Sequence, residues 1–185
     1  LDRRKRYTQT VIRETFTELL RSKPIEKITV TEICKLAEIN RSTFYVHYQD
    51  AYDLLEKLEA EYGDKMVQSL ASVLSEHSPS VLTLDISAII RKIVEADEVL
   101  LLLAGTQPSS GRIMHRLELG LSEILSPRLV ERYGFSEAEA MALYSFLFAG
   151  YRGMDEYFRS NEPADSAGLT AVINGIITRG LETRI

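Results

Sequence analysis

Apolar positions recur at helical spacing along almost the whole chain. Tyr7, Val11, Ile12, Thr15, Phe16, Leu19 and Leu20 fall on one face of a first helix. That helix opens on Arg3, Arg4, Lys5 and Arg6 and ends before Pro24. Thr29-Val30-Thr31-Glu32 reads as a capping box, in which hydroxyl and carboxylate satisfy orphan amides reciprocally. Ile33, Leu36 and Ala37 supply the buried face of the helix it starts. A break at Glu38-Ile39-Asn40 leads into a short helix over Arg41–Tyr48, with Asn40 as its N-cap. Asp50 caps a long helix that carries Leu54, Leu55, Leu58, Tyr62, Met66 and Leu70 to about Ser75.

The same period continues to the end of the chain. His77-Ser78-Pro79-Ser80 is a break, and Val81–Glu95 is a helix with Leu82, Ile86, Ile89, Ile90 and Ile93 inward. Glu98–Ala104 is short and very apolar, and Gly105–Gly111, with Pro108, is a loop. Ile113–Leu125 resumes the helical pattern; Pro127 restarts a turn or two, which Gly134 ends. Ser136–Ser160 and Asp165–Leu181 form a final pair around Asn161-Glu162-Pro163. With no strand-like alternation and no internal repeat, the expected fold is all-α with about nine helices.

Composition narrows the setting. The chain has 185 residues, 45% hydrophobic and 26% charged, which excludes disorder and leaves room for one or two small domains. Val99–Ala104 is the longest apolar run, far short of the roughly 20 residues that cross a bilayer. The chain opens on Leu1 rather than Met, so a few native residues are expected to lie upstream or to have been trimmed, and no secretory leader is expected from the pattern that follows. Cys34, the single cysteine, cannot form an internal disulfide, so a reducing cytoplasm is the expected location. With three scattered histidines it makes no metal-ligand spacing, and no metal or cofactor is expected.

The net charge of -5 conceals an asymmetry. Residues 1–50 hold ten Lys and Arg against seven Asp and Glu, while 51–185 hold twelve against twenty. A basic head on an acidic body marks two domains, 1–50 and 51–185, and a polyanion would be welcome at the head.

The head also carries a motif. Two short helices joined by a tight break over residues 29–48 are the helix-turn-helix pattern. Arg41, Ser42 and Thr43 open the second helix, where side chains can reach base edges and the helix end favours phosphate. Phe44 and Tyr48 face back toward Ile33, Ala37 and the first helix, leaving Tyr45, Val46 and His47 on or beside the outer face. Periodicity alone equally allows an ordinary amphipathic helix in a helical core.

The stretch Thr43-Phe44-Tyr45-x-His47-Tyr48, followed by Asp50-x-x-Asp53-Leu54-Leu55, resembles the DNA-binding domain of TetR-family transcriptional regulators. So does the Ile25-Glu26-Lys27-Ile28-Thr29-Val30 junction before it, and the likeness covers about residues 5–60. The resemblance implies that Thr31 touches the DNA backbone or a base edge. It places Arg41, Ser42 and Thr43 in the major groove and Tyr45 and His47 on phosphates, with Val46 counted among the DNA-binding residues. Arg3–Arg6 would add phosphate or minor-groove contacts, or form a merely solvated end. Two positions depart from the family: Ala51 replaces a common lysine, and Glu38 stands where a turn glycine is usual.

For the body, the resemblance implies a regulatory and dimerisation domain. Its last two helices would pair with a second copy through Phe146, Gly150, Gly153, Leu169, Val172, Ile173, Ile176 and Ile177. The homodimer would present two heads to a palindrome-like operator in double-stranded DNA. A small-molecule effector pocket would be lined by Tyr62, Met66, Ile90, Leu103, Met114, His115, Phe146 and Tyr151, each of which also reads as plain core. His115 would orient a ligand, or be a surface histidine beside Arg112 and Arg116. The expected function is a repressor relieved by that effector. The alternative is a co-regulator that acts through a protein partner and has no ligand. An enzyme is disfavoured, since Asp97-Glu98 and Asp155-Glu156 face different ways and no catalytic pair or phosphate loop is visible.

Overall fold

The computed structural model describes residues 3–76, 86–105, 109–161 and 166–183. All the regular structure there is helical: α1 (Arg3–Ser22), a 3-10 turn (Ile25–Lys27), α2 (Val30–Leu36), α3 (Arg41–Tyr45) and α4 (Ala51–Glu76). Then come α5 (Ile86–Glu95), α6 (Glu98–Ala104), α7 (Ser109–Tyr133), α8 (Glu137–Asn161) and α9 (Ser166–Glu182). The all-α expectation holds, and no helix among the described residues is long and apolar enough to cross a membrane.

The chain divides into two compact units. One is Leu1–Tyr62 with Asp97–Ile113; the other is Gly63–Ala96 with Met114–Ile185. The first therefore extends past residue 50 and recruits α6. Ile12, Phe16, Ile33, Phe44, Leu54 and Leu58 are buried in it, as are Leu100 and Leu103 of α6. Charge pairs tie its helices together: Arg13 of α1 to Glu61 of α4, and Arg21 of α1 to Glu98 of α6 at 2.9 Å. The Arg112 guanidinium grips Glu59 bidentately, with Nη2 at 2.8 Å from Oε1. Glu59 is only 2% exposed, so this carboxylate depends on its partner.

In the second unit, Met66, Leu70 and Leu74 of α4 and Leu117 and Leu121 of α7 are buried. The two helices approach closely: a Cβ on Gly120 would lie 2.6 Å from both Val67 Cγ atoms. Arg116 staples the crossing through a bidentate pair with Asp64 at 2.7 and 2.8 Å, which holds the Asp64 carboxyl below its ordinary range. Leu129, Tyr133, Ala140 and Leu181 form a further core cluster against Phe135, Leu143 and Ile177.

Several local expectations change. Leu36 is exposed and Cys34 takes its place. At about 100° per residue, positions 33, 34 and 37 share one arc of α2, whereas position 36 falls outside it. Tyr7 is also exposed, on the stretch of α1 that precedes its buried residues. The capping box at Thr29 is half built. Thr29 Oγ1 accepts from the Glu32 amide at 3.3 Å, but Lys23 Nζ takes the Glu32 carboxylate at 2.5 and 2.6 Å. The reciprocal box lies instead at Ser136, whose amide donates to Glu139 Oε2 at 2.8 Å while its hydroxyl accepts from the Glu139 amide at 3.3 Å.

Proline 127 does not restart a helix, because α7 runs through it to Tyr133. Pro127 and Glu123, the residue whose carbonyl loses its donor, are both exposed, so water can satisfy that oxygen. Gly134, at φ 66°, then ends α7, its amide donating to Val130 O at 3.1 Å. The loop expected over Gly105–Gly111 is shorter, since α7 begins at Ser109. The breaks expected at 77–80 and at 162–163, together with residues 106–108, lie outside the described residues.

Candidate nucleic-acid interface

Five residues make α3, too few to be stable without tertiary anchors. Its start is fixed by backbone alone: the Asn40 carbonyl accepts from the Thr43 and Phe44 amides at 3.0 and 3.2 Å, and the Asn40 side chain makes no cap bond. Phe44 is fully buried and Tyr48 nearly so, their rings 5.6 Å apart. The far end is locked from α4, where Lys57 Nζ donates to the His47 carbonyl at 3.1 Å and stands 5.2 Å from the centre of the Tyr48 ring. Lys57 also donates to Asp53 at 2.8 Å, and the Gln49 amide donates to the same carboxylate. Those two bonds hold the Asp53 carboxyl below its ordinary range. Asp50 caps α4 as expected, accepting from the Asp53 amide at 2.8 Å.

Pinned from inside, α3 turns its remaining side chains outward. Arg41, Ser42, Tyr45 and Val46 are exposed, and Thr43 and His47 are half-buried. Thr31 is exposed on α2 and meets Arg41 directly, its Oγ1 accepting from Arg41 Nη2 at 2.5 Å. All seven residues expected at the interface are thus gathered on or beside one short helix. Cys34, buried beneath, has its thiol pushed up by burial, with Arg41 opposing more weakly.

The first turns of α1 complete the surface. Arg4, Lys5 and Thr8 stand across a groove of about 360 Å³ from Ser42, Thr43, Val46 and His47. Cations thus face hydroxyls and an imidazole across a channel open to solvent. The sequence showed the basic cluster without deciding between DNA contact and a solvated end; its position opposite α3 was not readable. Ala51 is buried, so this chain has no cation there. Glu38 adopts φ 53°, the left-handed conformation that explains why glycine suits this turn.

No protein-family model and no curated protein matches the chain. Solved structures do. The TetR family repressor AlkX from Dietzia sp. strain DQ12-45-1b, implicated in biodegradation of n-alkanes, aligns at 20% identity and TM-score 0.52, over 96% of this chain and 97% of its own. The fatty acid degradation regulator FadR from Bacillus halodurans aligns at 17% identity and TM-score 0.60, covering 94% and 93%. A TerR/AcrR family transcriptional regulator from Aquifex aeolicus VF5 aligns at 16% and 0.54, covering 96% and 99%. The chain has the TetR-family fold.

Within this TetR-type fold the expected body residues divide. Phe146, Gly150, Gly153, Leu169, Val172 and Ile176 are exposed, while Ile173 and Ile177 are half-buried. A Cβ on Gly150 or Gly153 would meet nothing within 4 Å. Met66 and Leu103 are core, whereas Tyr62, Ile90, Met114 and Tyr151 are half-buried. Tyr62 and Leu103 belong to the first unit and the other six pocket candidates to the second. The Tyr151 hydroxyl bonds to Asn174 Oδ1, a buried amide on α9. Two pocket candidates lie on the surface of the single chain. His115 is exposed beside Glu118, at 3.9 Å, because it lies opposite the buried Ile113 and Leu117 on α7. Phe146, at 74% exposure, lines no interior of the single chain.

Proposed function

We propose that this chain is a homodimeric, sequence-specific DNA-binding transcriptional regulator rather than an enzyme. It acts as a repressor whose operator affinity falls when a small molecule binds the body. The observation that carries the reading is the outward set on α3, held by Phe44, Tyr48 and Lys57 and faced across a groove by Arg4 and Lys5. Arg41 supplies a bidentate donor fork suited to a guanine edge, and Ser42 and Thr43 lie beside it for bases in the major groove. Tyr45 and His47 donate to phosphates and set register without reading sequence. Thr31 orients Arg41 from α2 and reaches the backbone at the groove edge.

The exposed apolar stripe on α8 and α9 supports dimerisation. Six of the eight residues expected at the interface are exposed, and Gly150 and Gly153 have open space where a second backbone could approach. Two heads related by a two-fold axis would then match a palindrome-like operator. AlkX is a repressor implicated in n-alkane biodegradation and FadR a fatty acid degradation regulator, which supports a regulatory role here.

The test is selection of bound fragments from a random duplex library, followed by anisotropy titration of the enriched duplex at several salt concentrations. A palindrome-like duplex bound by a dimer, with affinity falling as salt rises, supports the reading. A library with no enrichment overturns it in favour of a co-regulator that acts through a protein partner.

A further inference from the structure

We propose that Val46 reads a thymine in each operator half-site through its C5 methyl, an inference that rests on the DNA-binding reading above. Val46 is 69% exposed at the C-terminal end of α3. Isolated exposed apolar residues are ordinary on protein surfaces. Val46 is not isolated: it lies in the groove beside Ser42, Thr43 and His47, opposite Arg4 and Lys5. Every other side chain there can hydrogen-bond or carries charge, which suits it to a phosphate or a polar base edge. An isopropyl group has neither option. The apolar group that the major groove offers it is the thymine methyl.

The frame suits this use. The Val46 amide donates to the Ser42 carbonyl at 3.3 Å, and the chain on either side is fixed by buried Phe44 and by Lys57 on the His47 carbonyl. A β-branched side chain on a fixed backbone has few rotamers to lose when it meets a ligand. The same contact selects against cytosine, whose amino group would be desolvated without an acceptor.

The test replaces each thymine of the selected duplex, one at a time, by deoxyuridine, which removes the methyl and nothing else. With the intact chain, one thymine per half-site should show about fourfold weaker binding on replacement, the loss expected for one buried methyl. Val46→Ala, at an exposed position, should retain the fold and bind the thymine and uracil duplexes alike. Equal binding of the two duplexes by the original chain at every position would overturn the inference, as would discrimination retained by Val46→Ala. A library that enriches no duplex at all would instead overturn the DNA-binding reading, and this inference with it.

Discussion

The two units expose opposite chemistry from the same kind of helix. In the first, α3 buries Phe44 and shows solvent Arg41, Ser42 and Tyr45; in the second, α8 and α9 show Phe146, Leu169, Val172 and Ile176. A pinned polar surface faced by cations suits a polyanion that arrives and leaves, since its side chains are solvated before and after. An apolar stripe remains unfavourable until something covers it, which suits a standing partner such as a second copy. Burial alone marks neither as functional; what each leaves outside does.

Two phenylalanines give the largest contrast. Phe44→Ala should cost about 4 kcal/mol of stability, because it empties the fully buried anchor beneath α3. Phe146→Ala should change the stability of the single chain by less than about 0.5 kcal/mol while weakening self-association. Urea denaturation at low concentration checks both, and sedimentation checks the second. Equal costs would erase the distinction between anchor and presented surface.

A charge placed on the stripe comes next. Ile176→Lys should weaken self-association on the order of a hundredfold, the scale of losing a central apolar contact and burying a cation, with the helical fold intact. Sedimentation equilibrium reads the change directly. An unaltered dimer would move the interface off α9. On α3, Arg41→Ala should cost about 1–3 kcal/mol at one base pair and relax preference there. Tyr45→Phe should instead weaken binding to all sequences alike. Repeating the duplex selection with each variant separates the two roles.

How much of this was legible follows from where the information resides. The Thr43–Leu55 stretch is a local pattern in which helix, anchor and outward residues sit within one or two turns, so spacing alone placed Phe44 inside and Tyr45 outside. The stripe on α9 was legible for the same reason, as a periodic face. Pairings between distant segments were not: the reach of Lys23 to Glu32, which leaves the Thr29 capping box half built, depends on how α1 meets α2. The same holds for the placing of Arg4 and Lys5 opposite α3. In the body, His115 shows that apolar neighbours in sequence need not be neighbours in space. His115 follows Ile113 and Met114 along the chain yet occupies the opposite side of α7 from the buried Ile113 and Leu117.

Glu38 offers the smallest effect and the sharpest probe of the head. Its φ of 53° is left-handed, which costs an L-residue roughly 1–2 kcal/mol relative to glycine. Glycine brings extra freedom to the unfolded chain, which offsets part of that gain. Glu38→Gly should therefore stabilise the fold by about 1 kcal/mol in urea denaturation. It also deletes an exposed carboxylate from the turn between α2 and α3, so binding to an arbitrary duplex should strengthen a few-fold at low salt, with the difference shrinking as salt rises. The two readouts are independent. A stability gain without an affinity gain would place the Glu38 charge beyond reach of the DNA. An affinity gain without a stability gain would mean that the carboxylate supports the turn by as much as its backbone strain costs, which would make the departure from glycine a compensated one.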